Sequence, residues 1–226
     1  MKKKLDQLHI QQASIKGEQL ITSNERLRDA LATLTSSPHP ETERIPGARL
    51  LGAGKYSFTY SIEGTAVKIS SPTSSQESFD TKKPTIPEDL ELQYEVLSAL
   101  HTHLLATRDI TAPEQLFVAR TPDNTFILGQ ELMKDWVSVE GRTLEEYGSF
   151  AADDEKVRAE VRAWTEPVRK RLKNALGGFS LKHYINDLGL DKPDGIHGGN
   201  ILVPQSVELG KDMPLCIIDQ PSNHTK

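Results

Sequence analysis

The chain has 226 residues, of which 36% are hydrophobic, 6% aromatic and 26% charged, and its formal net charge is −5. This acidic balance argues against a primary role on nucleic acid or on an anionic membrane, because both attract basic surfaces. A single cysteine, Cys216, excludes an internal disulfide framework and a multi-cysteine zinc site. The basic start "MKKK" precedes no apolar run, so neither a signal peptide nor a spanning helix is predicted. We expect a soluble cytoplasmic protein.

Residues 1–45 are predicted to form a helical extension and a linker. The pattern up to about residue 35 is helical, with a break at "SIKG". Ser23 or Asn24 is the candidate N-cap of the second helical piece. One face of that piece carries Leu27, Ala30, Leu31 and Leu34. The proline- and serine-rich stretch that follows is typical of a linker.

Residues 46–134 are predicted to form an antiparallel sheet of five strands with one helix inserted. The pattern gives a strand, a glycine turn, a strand, a short turn and a third strand, followed by a polar, serine-rich loop. A helix is predicted from about residue 87 to 105. Two more strands follow, near 114–120 and 125–133.

Residues 135–226 are predicted to be mostly helical and to end in a hairpin. A long helical pattern covers 153–176, and Pro167 is expected to kink or split it. Two short strands are predicted at Ile201–Val203 and Cys216–Ile218. The whole order indicates an α+β protein of two lobes.

Three residues of the sheet region suggest a phosphate site. Gly52 and Gly54 lie in a turn between two strands, where glycine allows backbone N–H groups to approach phosphate oxygens. An ordinary hairpin is the alternative. Lys68 lies in the apolar strand "TAVKIS", where its ammonium must reach solvent or find an anion. A nucleotide phosphate is a candidate for that anion.

The stretch "LLGAGKYSFTYSIEGTAVKI" resembles the N-lobe of the protein-kinase-like fold, which includes the aminoglycoside-phosphotransferase type of small-molecule kinases. Lys68 matches the lysine of the family's Val-Ala-Ile-Lys strand. The positions that match the Gly-rich loop are Gly52, Gly54 and Tyr60, while Ser57 replaces the third glycine and Thr59 the usual valine. The resemblance covers roughly residues 48–221. It implies a five-stranded N-lobe with one helix and a reduced, mostly helical C-lobe.

The resemblance also implies that the predicted helix supplies a glutamate to Lys68. The alignment places Gln93 in the register of that glutamate, with Glu91 and Glu95 two positions to either side. Glu91 is the preferred partner, Glu95 remains open, and a solvated helix face is the alternative for each of the two glutamates.

The stretch "ILGQELM" resembles the hinge strand of the family. Gln130 would be the gatekeeper, and the backbones of Glu131 and Met133 would face an adenine. An ordinary core strand is the alternative for this stretch.

The C-terminal motifs resemble the family's catalytic loop and metal-binding strand. Asn200 is followed by "ILV", and Asp219 is preceded by "LCII". Asn and Asp at these strand ends are hard oxygen ligands suited to Mg²⁺. "IHGGN" resembles the "LHPGN" of small-molecule kinases, with His197 at their second histidine. The alternatives are a turn residue for Asn200 and a structural cap for Asp219.

Two departures weaken the match. Gly195 stands where the family keeps its catalytic Asp, and Asp194 is the nearest candidate base. Glycine at 195 allows the loop to rotate so that Asp194 reaches the hydroxyl being phosphorylated; the alternative is that the base is lost. After Asp219 comes "QPS" instead of Phe-Gly, without an activation segment.

These residues predict an ATP- and Mg²⁺-dependent phosphotransferase that acts on a small molecule or on one dedicated protein partner. The alternative is a pseudokinase, a nucleotide-binding or purely protein-binding regulatory module without catalysis. Nucleotidyl transfer is a variation on the first hypothesis, and an unrelated α+β domain with chance matches is the remaining possibility.

Overall fold

The structure is a computed structural model, and it describes residues 8–36, 47–53, 57–70, 88–121, 125–139, 142, 145–146, 155–176 and 201–218. The chain divides into two compact units. Unit 1 consists of Met1–Ser98 and Glu114–Met133, and unit 2 of Ala99–Pro113 and Lys134–Lys226.

The described elements are helices and mainly antiparallel strands, so the predicted α+β class is confirmed. The helices are α1 (Ile15–Ser23), α2 (Glu25–Ser36), α3 (Glu88–Leu104) and α4 (Glu155–Leu176). The strands are β1 (His9–Ala13), β2 (Ala48–Ala53), β3 (Ser57–Ile62), β4 (Thr65–Ser70), β5 (Ile110–Thr111), β6 (Gln115–Arg120), β7 (Phe126–Glu131), β8 (Trp136–Ser138), β9 (Ile201–Pro204) and β10 (Leu215–Ile217).

Unit 1 contains a six-stranded antiparallel sheet with the order β1-β6-β7-β4-β3-β2. Five of these strands are the predicted ones. The turn between β3 and β4 consists of Glu63 and Gly64, whose φ angles are 47° and 78°. Two positive φ values are the signature of the hairpin turn that matches strand twist, which explains the glycine at 64.

The sixth strand corrects the prediction that the N-terminal region is entirely helical. His9–Ala13 is a strand paired with β6, from His9 opposite Arg120 to Ala13 opposite Phe117. The predicted break at "SIKG" is instead the start of α1, where the Ser14 side chain accepts a hydrogen bond from the Gly17 N–H. Tertiary pairing with the edge of β6 decides the conformation of this segment, not its local pattern.

The sequence offers Ser23 or Asn24 as the N-cap of α2, and the structure identifies Asn24. Its Oδ1 accepts from the Leu27 N–H at 2.9 Å. This satisfies one of the free donors at the helix start. The expected apolar face of α2 is buried, since Leu27, Ala30, Leu31 and Leu34 are all at most 3% exposed.

The sheet of unit 1 contributes to two apolar clusters. Adjacent residues of β7 alternate between them: Ile127 belongs to the cluster that contains the buried side chains of α1 and α2, whereas Phe126 and Leu128 pack with Tyr94 of α3. Because successive strand residues point to opposite faces, α1 and α2 cover one face and α3 the other. The segment predicted as an extension thus shares a core with the strands.

Unit 2 contains a four-stranded sheet with the order β5-β10-β9-β8. The predicted hairpin is present as the antiparallel pair β9 and β10, with Ile217 opposite Ile201. The flanking strands β5 and β8 were not predicted. They are short, 2 and 3 residues, and give little periodic signal.

Helix α4 runs through Pro167 as one element of 22 residues, so the helix is not split. Its buried apolar side chains recur at helical spacing, so one face of the helix packs into the interior of unit 2. They are Trp164, Val168, Leu172 and Leu176.

Two histidines at the end of α3, His101 and His103, are half-buried and bound to backbone carbonyls. His101 Nδ1 lies 2.6 Å from the Ala112 oxygen, and His103 Nε2 lies 2.8 Å from the Ala175 oxygen. Since a carbonyl only accepts, each of these ring nitrogens carries a proton. Both histidines therefore join secondary elements of unit 2.

Within the part of the chain that the structure describes, no helix has the length and apolar character required to cross a membrane.

Gly17 is expected to be essential for the packing of α1 on β6. A Cβ at this position would overlap the backbone carbonyl of Leu116. We expect Gly17→Ala to lower the free energy of unfolding by about 1–3 kcal/mol, because overpacking outweighs the better helix propensity of alanine. Chemical denaturation measures this, with Gly210→Ala as control, since a Cβ there meets nothing within 4 Å. Equal stability of the two variants would contradict the packing argument.

Candidate functional site

Lys68 lies in the middle of the unit 1 sheet. On β4 it is paired with Thr59 of β3 on one side and with Leu128 of β7 on the other. Its neighbours Val67 and Ile69 are buried in the cluster shared with α1 and α2. Lys68 itself is half-buried and belongs to the opposite face, which α3 covers.

Helix α3 presents Gln93 to Lys68. The Lys68 Nζ donates to the Gln93 Oε1 at 3.4 Å, and Gln93 is only 6% exposed. Gln93 is the residue that the alignment placed in the register of the family's glutamate. Of the two flanking glutamates, Glu91 is half-buried and Glu95 accepts a hydrogen bond from Gln12 of β1 at 3.2 Å.

Gln93 is thus a contact partner of Lys68, and the pairing of Lys68 with the preferred residue, Glu91, stays a prediction. The hydrogen bond from the lysine goes to a neutral amide at the position where the resemblance implies a glutamate. Such a bond carries less electrostatic stabilisation than a carboxylate would provide at the same distance.

Apolar packing determines which side of α3 faces the sheet. Tyr94, beside Gln93, packs with Val118, Phe126 and Leu128. Burial raises the pKa of the Tyr94 hydroxyl, while a hydrogen bond with Ser98 partly lowers it. Since Tyr94 fixes the helix rotation, it also fixes the direction in which Gln93 extends.

The glycine turn between β2 and β3 is described in part. Gly52 is exposed and paired with Thr59, after an irregularity in register that follows Leu50. A Cβ at Gly52 would meet nothing within 4 Å, so packing does not require glycine there. Ser57 starts β3 opposite Ser70. Gly54 lies outside the described residues.

The predicted hinge strand is β7 and the residues that follow it. Gln130 is paired with Ala66 and with Gln115, and Glu131 with Thr65. The Glu131 N–H donates to the Glu114 carbonyl at 2.9 Å. Met133, half-buried, is the last residue of unit 1.

Gly129 of β7 leaves room for the ring of Phe117, the residue paired with it on β6. A Cβ there would overlap the ring of Phe117, which is fully buried. The position next to the predicted gatekeeper is thus sterically constrained.

The predicted metal ligands, Asn200 and Asp219, lie outside the described residues, as do Asp194, Gly195 and His197. The strands that adjoin the two ligands in sequence are described: β9 begins at Ile201 and β10 ends at Ile217, and these two residues are paired. Among the described residues no group of three or more His, Cys, Asp and Glu side chains forms a metal site.

A cluster of polar contacts near the end of β7 was not predicted from the sequence. Lys16 of α1 lies 3.1 Å from a carboxylate oxygen of Glu114 and 3.6 Å from one of Glu131. The hydrogen bond with Glu114 is the main cause that raises the pKa of Lys16. No sequence signal links residues this far apart, because their proximity depends on the pairing of β1 with β6.

No family model matches the chain, and no curated protein matches it. Similar solved structures include a double mutant of the PknI kinase domain of Mycobacterium tuberculosis, with 15% identity, a TM-score of 0.42, and coverage of 77% of this chain and 58% of that one. The unmutated PknI kinase domain matches with 12% identity, a TM-score of 0.38, and coverage of 77% and 60%.

The BubR1 kinase domain matches with 14% identity, a TM-score of 0.40, and coverage of 89% of this chain and 58% of that one. The chain therefore spans less than two thirds of the length of these neighbours.

The choice between Gln93 and Glu91 as the partner of Lys68 can be tested by stability. We expect Gln93→Leu to lower the free energy of unfolding by about 1–2 kcal/mol, because it removes a buried acceptor from the lysine at nearly constant volume. Glu91→Leu on the same helix is the matched control and is expected to change it by less than about 0.5 kcal/mol. Denaturant titration measures both variants. A neutral Gln93→Leu with a costly Glu91→Leu would reverse the assignment.

Proposed function

We propose that this chain is an ATP- and Mg²⁺-dependent phosphotransferase of kinase-like fold that acts on a small molecule or on one dedicated protein partner. The observation that carries the proposal is the contact of Lys68 with Gln93 at 3.4 Å. It joins a lysine of the third strand of the glycine-turn region to the helix that follows that strand, as in the lysine–helix pair of kinases.

The order of elements supports the same proposal. A hairpin with the glycine turn, β2 and β3, is followed by the lysine strand β4, then by α3, and then by β6 and β7, with all five strands in one antiparallel sheet. Gly52, Gly54 and Ser57 would bring backbone N–H groups to the nucleotide phosphates, and Lys68 would neutralise part of their charge.

The end of β7 would bind the adenine. Since the Glu131 N–H donates to the Glu114 carbonyl, the Glu131 carbonyl is the backbone group that would accept from the adenine amino group. The Met133 N–H would donate to the ring. Gln130, two strands from β3, would be the gatekeeper.

Asn200 and Asp219 would hold Mg²⁺. Their amide and carboxylate oxygens suit a hard cation, and the pairing of Ile201 with Ile217 supports their approach, since each lies near the end of one paired strand in sequence. When bound, the ion would supply positive charge that neutralises the charge developing on the transferred phosphoryl group. Asp194 would accept the proton of the substrate hydroxyl.

The second candidate is a pseudokinase that binds nucleotide without transferring the phosphoryl group. Two positions favour it: Gln93 supplies a neutral group to Lys68, and Gly195 stands at the position of the catalytic Asp. Both candidates bind nucleotide at the same site, and they differ in whether the phosphoryl group is transferred.

Nucleotide binding is tested first by thermal shift with ATP, with and without Mg²⁺. At a ligand concentration of about 100 times Kd we expect about 2.7 kcal/mol of stabilisation, seen as a rise in Tm of several degrees. Lys68→Met and Asp219→Ala should reduce the rise, and only Asp219→Ala should abolish its dependence on Mg²⁺. If the intact chain shows no rise in any condition, both nucleotide-binding hypotheses fail and a protein-binding module remains.

Turnover then separates enzyme from pseudokinase. We expect Asp194→Ala to lower the rate of ADP formation at least about 100-fold, which is the usual contribution of a general base, while leaving the thermal shift with ATP unchanged. Asp191→Ala, three positions earlier in the sequence, is the control. A chain that binds ATP but forms no ADP above the uncatalysed background would be assigned to the second candidate, whereas ADP formation that Asp194→Ala leaves unchanged would reject Asp194 as the base.

A further inference from the structure

The N-terminal segment, defined here as β1 and α1 (His9–Ser23), contacts both elements that flank Lys68. Gln12 of β1 donates from Nε2 to Glu95 Oε1 of α3 at 3.2 Å, although the two residues are 83 positions apart. Lys16 of α1 reaches the end of β7 through Glu131 at 3.6 Å. The segment is thus bound to the helix that carries Gln93 and to the strand that would bind adenine.

The position of Glu95 on α3 means that its contact with Gln12 restrains the rotation of the helix. Gln93 and Glu95 are separated by about 200° around the axis, since each helical residue advances about 100°. Gln93 reaches Lys68 of β4 and Glu95 reaches Gln12 of β1, two strands of the same sheet, and the two contacts lie on either side of Tyr94. Contacts on both sides of Tyr94 restrain the rotation of the helix and its distance from the sheet.

The backbone of the N-terminal segment is fixed independently of these side chains. β1 is paired with β6, and the Ser14 N–H donates to the Leu116 carbonyl at 2.9 Å. Gly17 brings α1 into direct contact with the same carbonyl. Gln12 and Lys16 therefore extend from a rigid base, which reduces the entropy lost when their side chains are ordered.

A second contact of Lys16 joins the segment to the start of β6. Its ammonium lies 3.1 Å from Glu114, whose carbonyl in turn accepts from the Glu131 N–H. Lys16 and both carboxylates are substantially exposed, with 55%, 30% and 44% of the side chain accessible. Exposed pairs of this kind contribute little individually, so their effect on a binding site is small and measurable only by comparison.

We propose that Gln12 is a positioning residue for the nucleotide site. Through Glu95 it holds α3 in the rotation that brings Gln93 to Lys68, and the N-terminal segment thereby regulates the affinity of that site. The second statement rests on the proposed nucleotide-binding function, whereas the first concerns the free protein. Because linkage is reciprocal, bound nucleotide should in turn strengthen the contact between β1 and α3.

The test is a double-mutant cycle of Gln12→Ala and Glu95→Ala on the full chain, with two readouts. The first is amide hydrogen exchange of residues 89–98 in the free protein, and the second is the Kd for ATP with Mg²⁺. We expect each single variant to speed exchange in this part of α3 and to weaken ATP binding about threefold. The double variant should be no worse than either single one, because both remove the same contact.

Two controls separate positioning from general destabilisation. Glu95→Gln keeps a side-chain oxygen that accepts from Gln12 and should restore both readouts. Ser23→Ala removes only a local bond to the Gln19 carbonyl within α1 and should change neither.

The outcomes are distinguishable. Unchanged exchange of residues 89–98 in Gln12→Ala, or additive effects in the double variant, overturns the positioning role. Faster exchange with unchanged Kd overturns the link to the nucleotide site. If the intact chain binds no ATP, the proposed function fails and the link to the site fails with it, while the exchange data still decide whether Gln12 positions α3.

Discussion

A half-buried lysine in a sheet covered on both faces favours a polar partner, because the part of its ammonium removed from water loses hydrogen bonds unless the protein replaces them. Lys68 is in this position, since α1 and α2 cover one face of the sheet and α3 the other. The amide of Gln93 meets the requirement. The chemistry proposed for the site depends on this contact, and the contact in turn depends on how α3 is packed on the sheet.

Because Lys68 contacts a neutral amide, the packing of α3 on the sheet has more influence on the geometry of this site than it would have in a site that contains an ion pair. A hydrogen bond to a neutral amide is shorter in range than a charge–charge attraction and more dependent on orientation. The helix must therefore be oriented by other contacts with the same sheet, among them Tyr94 against Phe126 and Leu128, and Glu95 with Gln12.

Most of the regular elements were predictable because their signals are local. The strand patterns of β3, β4, β6 and β7 and the helical pattern of α3 repeat over many residues, and the structure contains all of them. β1 was not predictable, since the five residues HIQQA become a strand only by pairing with an edge that lies about a hundred positions further along.

The sequence predicts which strands and which helix form the site, but it does not predict which side chains of those elements contact each other. The alignment gave the register of Gln93, yet the choice among three polar residues of one helix depends on rotation, which Tyr94 determines from the core. The metal and base positions, Asn200, Asp219 and Asp194, remain predictions.

The pairing of β1 with β6 has a consequence for synthesis on the ribosome. α1 and α2 leave the exit tunnel early, but the strand ladder and much of the core that bury Ile21, Leu27 and Leu31 are completed only when β6 and β7 follow. During that interval the apolar face of the first helices has only part of its native surface to pack against, and contacts of such long sequence separation form slowly. The growing chain is thus expected to need chaperone protection for its N-terminal half more than for its C-terminal half.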